Sequence, residues 1–500
     1  MVTSNDAYSK RLMKIYRLIL NRKFGISAFL VPLGLRAIPE LLVGPYPVGW
    51  DTIASYAPTT LDWASGRVGV IGMLETAPLL YSISTFLYVL LRMSPVMIFK
   101  VLGPLLYGAM IYSVFRFMRT SLDWTDKIAL SGSLLTSLYF VTLRISWDLY
   151  RTMLGLTFVL ASISLMRRPG GLRKQLALSS FIVLAVASNE LTAVIICSLT
   201  GGTAIQALRK RNVPRFLRSS LIALPGIAFL CLILYSRTIV EGSILQQQPA
   251  LPSLGTTIST LGFMGYAYLP LLPLILVGMR VIHNAHLRLW SVVCALGATT
   301  SLLPLAGLIV MSYRWSLLMD IPFCVYAMAG LHRLTMIHSH IAFWKTLRLR
   351  GLPMFFAILS LSSVLYIALP AQRAVFGSFP TYLPTSMIQN TVPLSDMGSL
   401  KSSLEWVSHN MDSKTVLITH MAIYGWARTS LPSQDRIIEY GYSNPEVGLK
   451  SATQEGYRSV FLIWWVKGLG LHGLSEIPAR FVPVHVDGNI AVYSSPTLQQ

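Results

Sequence analysis

The chain has 500 residues, 53% of them hydrophobic and 12% charged. Soluble domains carry roughly 25% charged residues, so this composition excludes a disordered chain or a purely cytosolic one. The formal charge of +21 would point to nucleic acid in a soluble protein, but here the basic residues must first be placed against the apolar runs. No disulfide framework is expected, because Cys197, Cys231, Cys294 and Cys324 all fall inside apolar runs.

A membrane-crossing helix needs about 20 mostly apolar residues. In chain order such runs fall at 24–42, 96–115, 128–145, 151–166, 176–192, 193–208, 219–236, 260–279, 289–310, 315–331 and 352–369, giving about eleven predicted spans. The basic N-terminal stretch leads into a run holding Arg36 and Glu40, with no small-residue cleavage site after it. It reads as a retained first span, not a signal peptide. Leu79–Leu91 is apolar, too short to span and closed by Arg92, so it is expected to lie at the interface. With the N-terminus placed in the cytoplasm, the inner loops collect 24 of the 41 basic residues, and the outer connections before Leu369 hold only scattered arginines. That asymmetry is the positive-inside pattern of a multi-pass cell-membrane protein, and it removes the nucleic-acid reading.

From Pro370 the texture changes. A Pro-rich connector over 370–394 leads to a stretch of soluble character over 395–500. There Leu400–Asn410 and Pro445–Glu455 read as helices, and Thr415–Thr419, Arg436–Tyr440 and Ser459–Val466 as strands. Phe481–Val486 and Asn489–Tyr493 read as a hairpin about Asp487-Gly488. The expected fold is therefore an α-helical polytopic membrane protein with about eleven transmembrane helices. Residues 1–369 form its membrane domain with a first outer loop over 43–95, and 395–500 form a small extracytoplasmic α/β domain.

Carboxylates are few and unevenly placed. Glu40, Asp51, Asp62, Glu75, Asp148, Glu190 and Glu241 all fall at the predicted outer face, accompanied by Arg36, Arg67, Arg144, Arg151, Arg237 and Arg314. Ionisable groups at membrane depth cost about 2.5–3.5 kcal/mol each and therefore face cavities or one another. Acids and arginines gathered at one face suit an anionic, lipid-linked substrate: Arg grips phosphate by forked hydrogen bonds, and a carboxylate serves as base or metal ligand. Arg36, Arg151 and Arg314 are the candidate phosphate-binding residues. Arg36 and Glu40, four apart on one helix, also fit a self-neutralising pair. Asp148 and Arg151 fit a helix start, and Asp62 and Glu75 fit solvated loop acids. Asp51 stands out because Gly44-Pro45-Tyr46-Pro47-Val48-Gly49-Trp50 precedes it, a run of turn formers and aromatics that fixes a loop just outside the first span. Asp320 is an acid within a span. The His283/His286 and His338/His340 pairs sit in basic loops, and His409, His420, His472 and His485 show no ligand spacing, so no metal site is assigned.

Four segments carry a family resemblance: Arg36-Ala37-Ile38-Pro39-Glu40, Pro47-Val48-Gly49-Trp50-Asp51-Thr52, Trp147-Asp148-Leu149-Tyr150-Arg151 and Asn189-Glu190-Leu191-Thr192. With the layout of first span, long outer loop, interfacial helices and second span, the chain resembles the GT-C class of integral-membrane glycosyltransferases. That class includes protein O-mannosyltransferases, aminoarabinose transferases and oligosaccharyltransferases. The resemblance implies a polyprenyl-phosphate sugar donor among the membrane lipids and a glycan, lipid or protein acceptor. It also implies that Asp51 acts as the catalytic base, with Glu40, Asp148 and Glu190 as candidate acidic partners. Asp51 departs from the class in having no adjacent acid, which leaves a divalent metal cofactor open. The alternative is a transporter or flippase of lipid-linked sugars. It would use the same arginines without a base and would need paired broken helices or repeat symmetry, neither evident in the sequence.

Overall fold

The computed structural model describes residues 3–167, 171–240, 254–299, 312–336, 351–369, 383–432, 434–441, 444–466 and 477–496, with side chains from Lys23 onward. Glu241, His338, His340, His472 and the connector over 370–382 lie outside the described residues. The first half runs α1 (Thr3–Leu42), a one-turn π-helical segment (Thr52–Tyr56), α2 (Ala57–Ala64), α3 (Val70–Glu75), α4 (Leu79–Leu91), α5 (Pro95–Ser121), α6 (Asp126–Leu138), α7 (Phe140–Asp148) and α8 (Tyr150–Met166). It continues through α9 (Leu172–Ser188), α10 (Glu190–Arg209), α11 (Val213–Val240), α12 (Leu254–Tyr268), α13 (Leu272–Val281), α14 (Ala285–Thr299), α15 (Ser312–Leu318), α16 (Asp320–Met336) and α17 (Leu352–Ala368).

Every predicted apolar run falls on helix where it is described. Among the described residues six helical stretches are long and apolar enough to cross a membrane, seven if α6 and α7, bent by 65° at Tyr139, count as one span. The eleven-span expectation is thus met by helices but not by eleven full-length spans: α8, α9 and α17 stop at 17 residues, the lower limit for the hydrocarbon. The 128–145 run is broken, and the 176–208 region divides at Asn189, whose side-chain oxygen caps α10 by accepting from the Leu191 and Thr192 amides. As expected of an interfacial element, α4 leaves Phe86, Val89 and Leu90 exposed, and it ends at Arg92 in the left-handed region.

Helix breaks free carbonyls that a membrane interior cannot hydrate. Each break here is answered by a side-chain donor. At the end of α6, the Tyr107 hydroxyl donates to the Ser137 carbonyl at 2.6 Å and Ser363 donates to that of Leu138. At the α15–α16 break, Trp290 Nε1 donates to the Leu318 carbonyl at 3.2 Å and Tyr268 to that of Ser316. At the α7–α8 break, Arg36 Nε donates to the Ser146 carbonyl at 2.8 Å.

Residues 397–496 hold a five-stranded mixed sheet: β1 (Thr415–Thr419), β2 (Ile437–Glu439), β3 (Ser459–Trp465), β4 (Val482–Asp487) and β5 (Ile490–Pro496), in the order β2-β1-β3-β5-β4. β1 pairs in parallel with β2 and β3, and β5 pairs antiparallel with β3 and β4. Helices α18 (Met397–Asn410) and α20 (Pro445–Gln454) match the sequence reading, as do the strands and the hairpin. The helix α19 (Met421–Ser430), capped by His420 Nδ1 accepting from the Ala422 amide, was not anticipated.

It is α19 that joins the sheet to the first loop. Gly425 lies so close to the π-helical turn that a Cβ there would sit 1.8 Å from the Ile53 carbonyl oxygen. Ile53 is itself fully buried in the apolar cluster of the sheet unit, with Leu404, Ile423 and Trp426. Asp62 is not the solvated loop acid expected from the sequence: it is paired with Arg428 of α19 and, at 3.4 Å, with Arg67. Gly425→Ala must therefore push α19 off the loop. Overpacking of this kind costs about 1–3 kcal/mol, and a lowered thermal denaturation midpoint in detergent is the expected result; an unchanged midpoint would show that the contact is slack.

Candidate active site

Asp51 closes the loop that follows α1 and leads directly into the π-helical turn. Two constraints place it. Gly49 adopts φ +84°, and a Cβ there would lie 2.2 Å from the Trp147 carbonyl, so only glycine lets the loop meet the end of α7. From the other side Asn390 Nδ2 donates to the Pro47 carbonyl at 2.7 Å, and Trp147 Nε1 donates to the Gln389 carbonyl at 3.0 Å. Beneath the turn Tyr56 stacks on Tyr150 at 5.4 Å and packs against Phe99 at 5.6 Å, a rigid aromatic floor.

The residues gathered here come from four distant parts of the chain. Asp51 Oδ2 accepts from Arg314 Nη2 at 3.4 Å, and the two side chains are 24% and 22% exposed, open enough to meet a ligand. Asp148, at the end of α7, is buried and paired with Arg144. Arg151 pairs elsewhere: its Nη2 meets Glu190 Oε1 at 2.7 Å, and its Nε donates to the Ser188 carbonyl. Asp51 feels all of these charges. Its carboxyl is pushed up to about 7, first by burial, then by the carboxylate of Asp148, while Arg314, Arg144 and Arg151 pull the other way.

Of the residues singled out from sequence, the structure brings Asp51, Asp148, Glu190, Arg151 and Arg314 into one neighbourhood. It does not bring Arg36 or Glu40 there. Arg36, expected to bind phosphate, is completely buried, with Nη1 at 2.9 Å from Glu40 Oε1 and Nη2 donating to the Tyr150 hydroxyl at 2.9 Å. Its donors are engaged in bracing the α7–α8 break. Glu40, expected as an acidic partner of Asp51, is instead the counter-ion shared by Arg36 and Lys100, whose Nζ lies 3.1 Å away. Arg144 is the member that sequence reasoning left out of the site. Its i,i+4 spacing to Asp148 was the available signal.

The carboxylates of this neighbourhood are each already paired with a guanidinium: Asp51 with Arg314, Asp148 with Arg144 and Glu190 with Arg151. Among the described residues no group of three or more His, Cys, Asp or Glu could hold a metal. The residues fit an arginine-neutralised carboxylate pair better than a metal centre. Asp320 stands apart from Arg314: its oxygens accept from the Thr142 hydroxyl and, at 3.4 Å, the Cys324 thiol.

No family profile and no curated relative matches the chain. Among solved structures it is similar to the arabinofuranosyltransferase AftD from mycobacteria, at 13% identity and a TM-score of 0.54, over 94% of this chain and 40% of that one. It thus spans about two fifths of the length of that protein. An oligosaccharyltransferase from Archaeoglobus fulgidus also matches, at 11% identity and a TM-score of 0.41, over 86% of this chain and 67% of the other; so loose a likeness carries no weight. What the AftD likeness shows is the fold alone, shared along 94% of this chain.

The pairing pattern sets an order of sensitivity. Arg144→Ala would strand Asp148 as a buried charge, at a cost of about 3–5 kcal/mol. Arg151→Ala should cost less, because its partner Glu190 is 23% exposed and can be hydrated. Thermal denaturation of the two variants side by side checks this, and a reversed order would refute it.

Proposed function

We propose that the chain is a membrane glycosyltransferase that moves a sugar from a polyprenyl-phosphate-linked donor to an acceptor hydroxyl at the face that carries Asp51. The observation that carries the reading is a partly exposed carboxylate on a braced loop, poised near neutrality and touching an arginine. Asp51 removes the proton of the acceptor hydroxyl, whose oxygen forms a bond to the anomeric carbon. The bond from that carbon to the donor phosphate breaks, and the phosphate leaves with the electron pair, held by Arg314 with Arg151 nearby. Asp148 keeps Asp51 basic by repulsion, and Arg144 pairs with Asp148. The loop charge pattern supports a cytoplasmic N-terminus, with the Asp51 face and the sheet unit outside.

The transporter reading gains one observation, since α6 and α7 form a span bent by 65°, with slighter interruptions at α12–α13 and α15–α16. Transporters use the freed backbone of such breaks to hold ions or substrate. At the α6–α7 and α15–α16 breaks carbonyls are already taken by tyrosine, serine and tryptophan donors, which favours a rigid scaffold over a transport site.

Asp51→Asn keeps the size of the side chain and most of its hydrogen bonding but cannot take the proton. Loss of a general base costs about 10²–10⁴ in rate, and transfer assayed with a polyprenyl-phosphate sugar should fall by that factor while folding and donor binding persist. In the wild type, kcat/KM should climb with pH as Asp51 ionises and level off above about 7. A variant that transfers normally, or a profile with no rise through that range, would remove Asp51 as the base.

Arg314 separates charge from geometry. Arg314→Ala should weaken donor binding with little loss of thermal stability, and Arg314→Lys should restore it only in part, because an ammonium cannot form the fork. Equal donor affinity in wild type and both variants would take Arg314 out of the site.

A further inference from the structure

The two cavities at the far ends of the helices belong to a different part of the molecule. Over its 17 residues α8 rises about 24 Å from Tyr150, beside the Asp51 site, to Met166 at the opposite membrane face. There α8, α9, α10 and α11 diverge around a cavity of about 440 Å³. Leu165, Leu178 and Ile222 form its apolar wall, and Lys174, Arg215 and Arg218 stand at its mouth. A neighbouring cavity shares Arg215 with it.

We propose that this cavity binds the phosphate headgroup of an anionic membrane phospholipid, with the acyl chains running down the apolar wall and along α11. The proposal is independent of the glycosyl-transfer reading, and three observations support it. The first is the state of the charges. Two arginines on this face are matched by acids, Arg119 with Asp126 and Arg167, which also lines the cavity, with Asp123. Lys174, Arg215 and Arg218 are exposed, and among the described residues no carboxylate pairs with any of them. The second is the shape. The lining combines Leu165, Met166, Leu178 and Ile222 with cations and with neutral hydrogen-bonding groups such as Thr200 and Asn212, which suits a molecule that has both an apolar and an anionic part. The third is continuity with the lipid-facing surface. Just past the basic mouth, α11 exposes Leu217, Leu221 and Leu224, and α9 exposes Leu172 and Leu176, so a bound lipid would have acyl-chain contacts on both flanks. Basic pockets between transmembrane helices select anionic headgroups on these physical grounds.

The test uses the full chain reconstituted in phosphatidylcholine nanodiscs, with phosphatidylglycerol titrated in and binding read by thermal shift and by retained lipid in native mass spectrometry. The variant K174Q/R215Q/R218Q removes the three charges, and R209Q/K210Q/R211Q removes three exposed charges on the same face outside the cavity. Three lost contacts at roughly fivefold each predict phosphatidylglycerol binding weaker on the order of a hundredfold in the first variant. The second should stay within a few-fold of wild type. Equal losses in both variants would mean diffuse surface attraction and overturn the site, as would no loss in either. Inorganic phosphate stabilising the protein as well as phosphatidylglycerol does would overturn the lipid assignment. The single substitution R218Q, expected to give a several-fold loss, keeps the test sound if the triple variant denatures early.

Discussion

The break between α7 and α8 is the constraint on which the rest of the site depends. A helix interrupted at membrane depth exposes carbonyls that no water can satisfy. The answer at this break is a guanidinium, which brings its own problem, because Arg36 is fully buried and needs a counter-ion there. Glu40 supplies it from the next turn of the same helix, and Lys100 of α5 balances the remaining carboxylate oxygen while donating to the Glu40 and Tyr46 carbonyls at 2.8 Å each. One interrupted helix thus ties α1, α5, α7 and α8 together. It leaves Asp148 and Arg151 on either side of the interruption, pointing into one electrostatic neighbourhood.

The first loop is the second half of the construction. A free loop would be a poor support for a base, since misplacement of a reacting group by about 1 Å can cost a hundredfold in rate. This loop is pressed from below by the aromatic floor of Tyr56, Tyr150 and Phe99 and from above by α19. The sheet unit is therefore more than an appendage. It contributes Ile423 and Trp426 to the cluster that buries Ile53, and Arg428 to the ion pair with Asp62. Just before the sheet unit, the Asn390 side chain donates to the Pro47 carbonyl and the Gln389 carbonyl accepts from Trp147 Nε1. Membrane helices and sheet meet around the residue that the proposed chemistry uses.

Charge is distributed differently at the two ends of the helices. At the Asp51 end nearly every arginine has a carboxylate, and the balance tips so that burial and Asp148 outweigh three cations in setting the state of Asp51. At the opposite end positive charge exceeds negative, and Lys174, Arg215 and Arg218 remain facing an amphipathic cavity. The first arrangement suits a reacting group whose protonation must be poised. The second suits an anion brought by the membrane itself.

Local pattern was enough to read much of this chain. Hydropathy marked the long apolar helices but not the short α2 and α3 of the first loop, because burial in lipid acts on each apolar segment by itself. Alternation and turn residues marked the sheet strands and the Asp487-Gly488 hairpin, because strand preference is largely local. Asp51 was legible from the turn formers around it. What escaped was whatever depends on partners far along the chain. The ion pairs Asp51–Arg314 and Asp62–Arg428 join residues 263 and 366 positions apart, and no periodicity encodes them. The adjacent acid that Asp51 lacks in sequence is supplied in space by Asp148. Arg36 and Glu40 carried the right charges for a site but were claimed by the break at Leu149, which lies between two predicted runs but whose donor on α1 no local pattern reveals. The helix α19 went unread because its decisive feature, Gly425, matters only through the close approach of Ile53. The sequence by itself determined which segments form apolar helices and where charge collects. Only the tertiary structure decided which charges neutralise one another and which remain to meet a ligand, because that depends on distances between segments the chain does not connect directly.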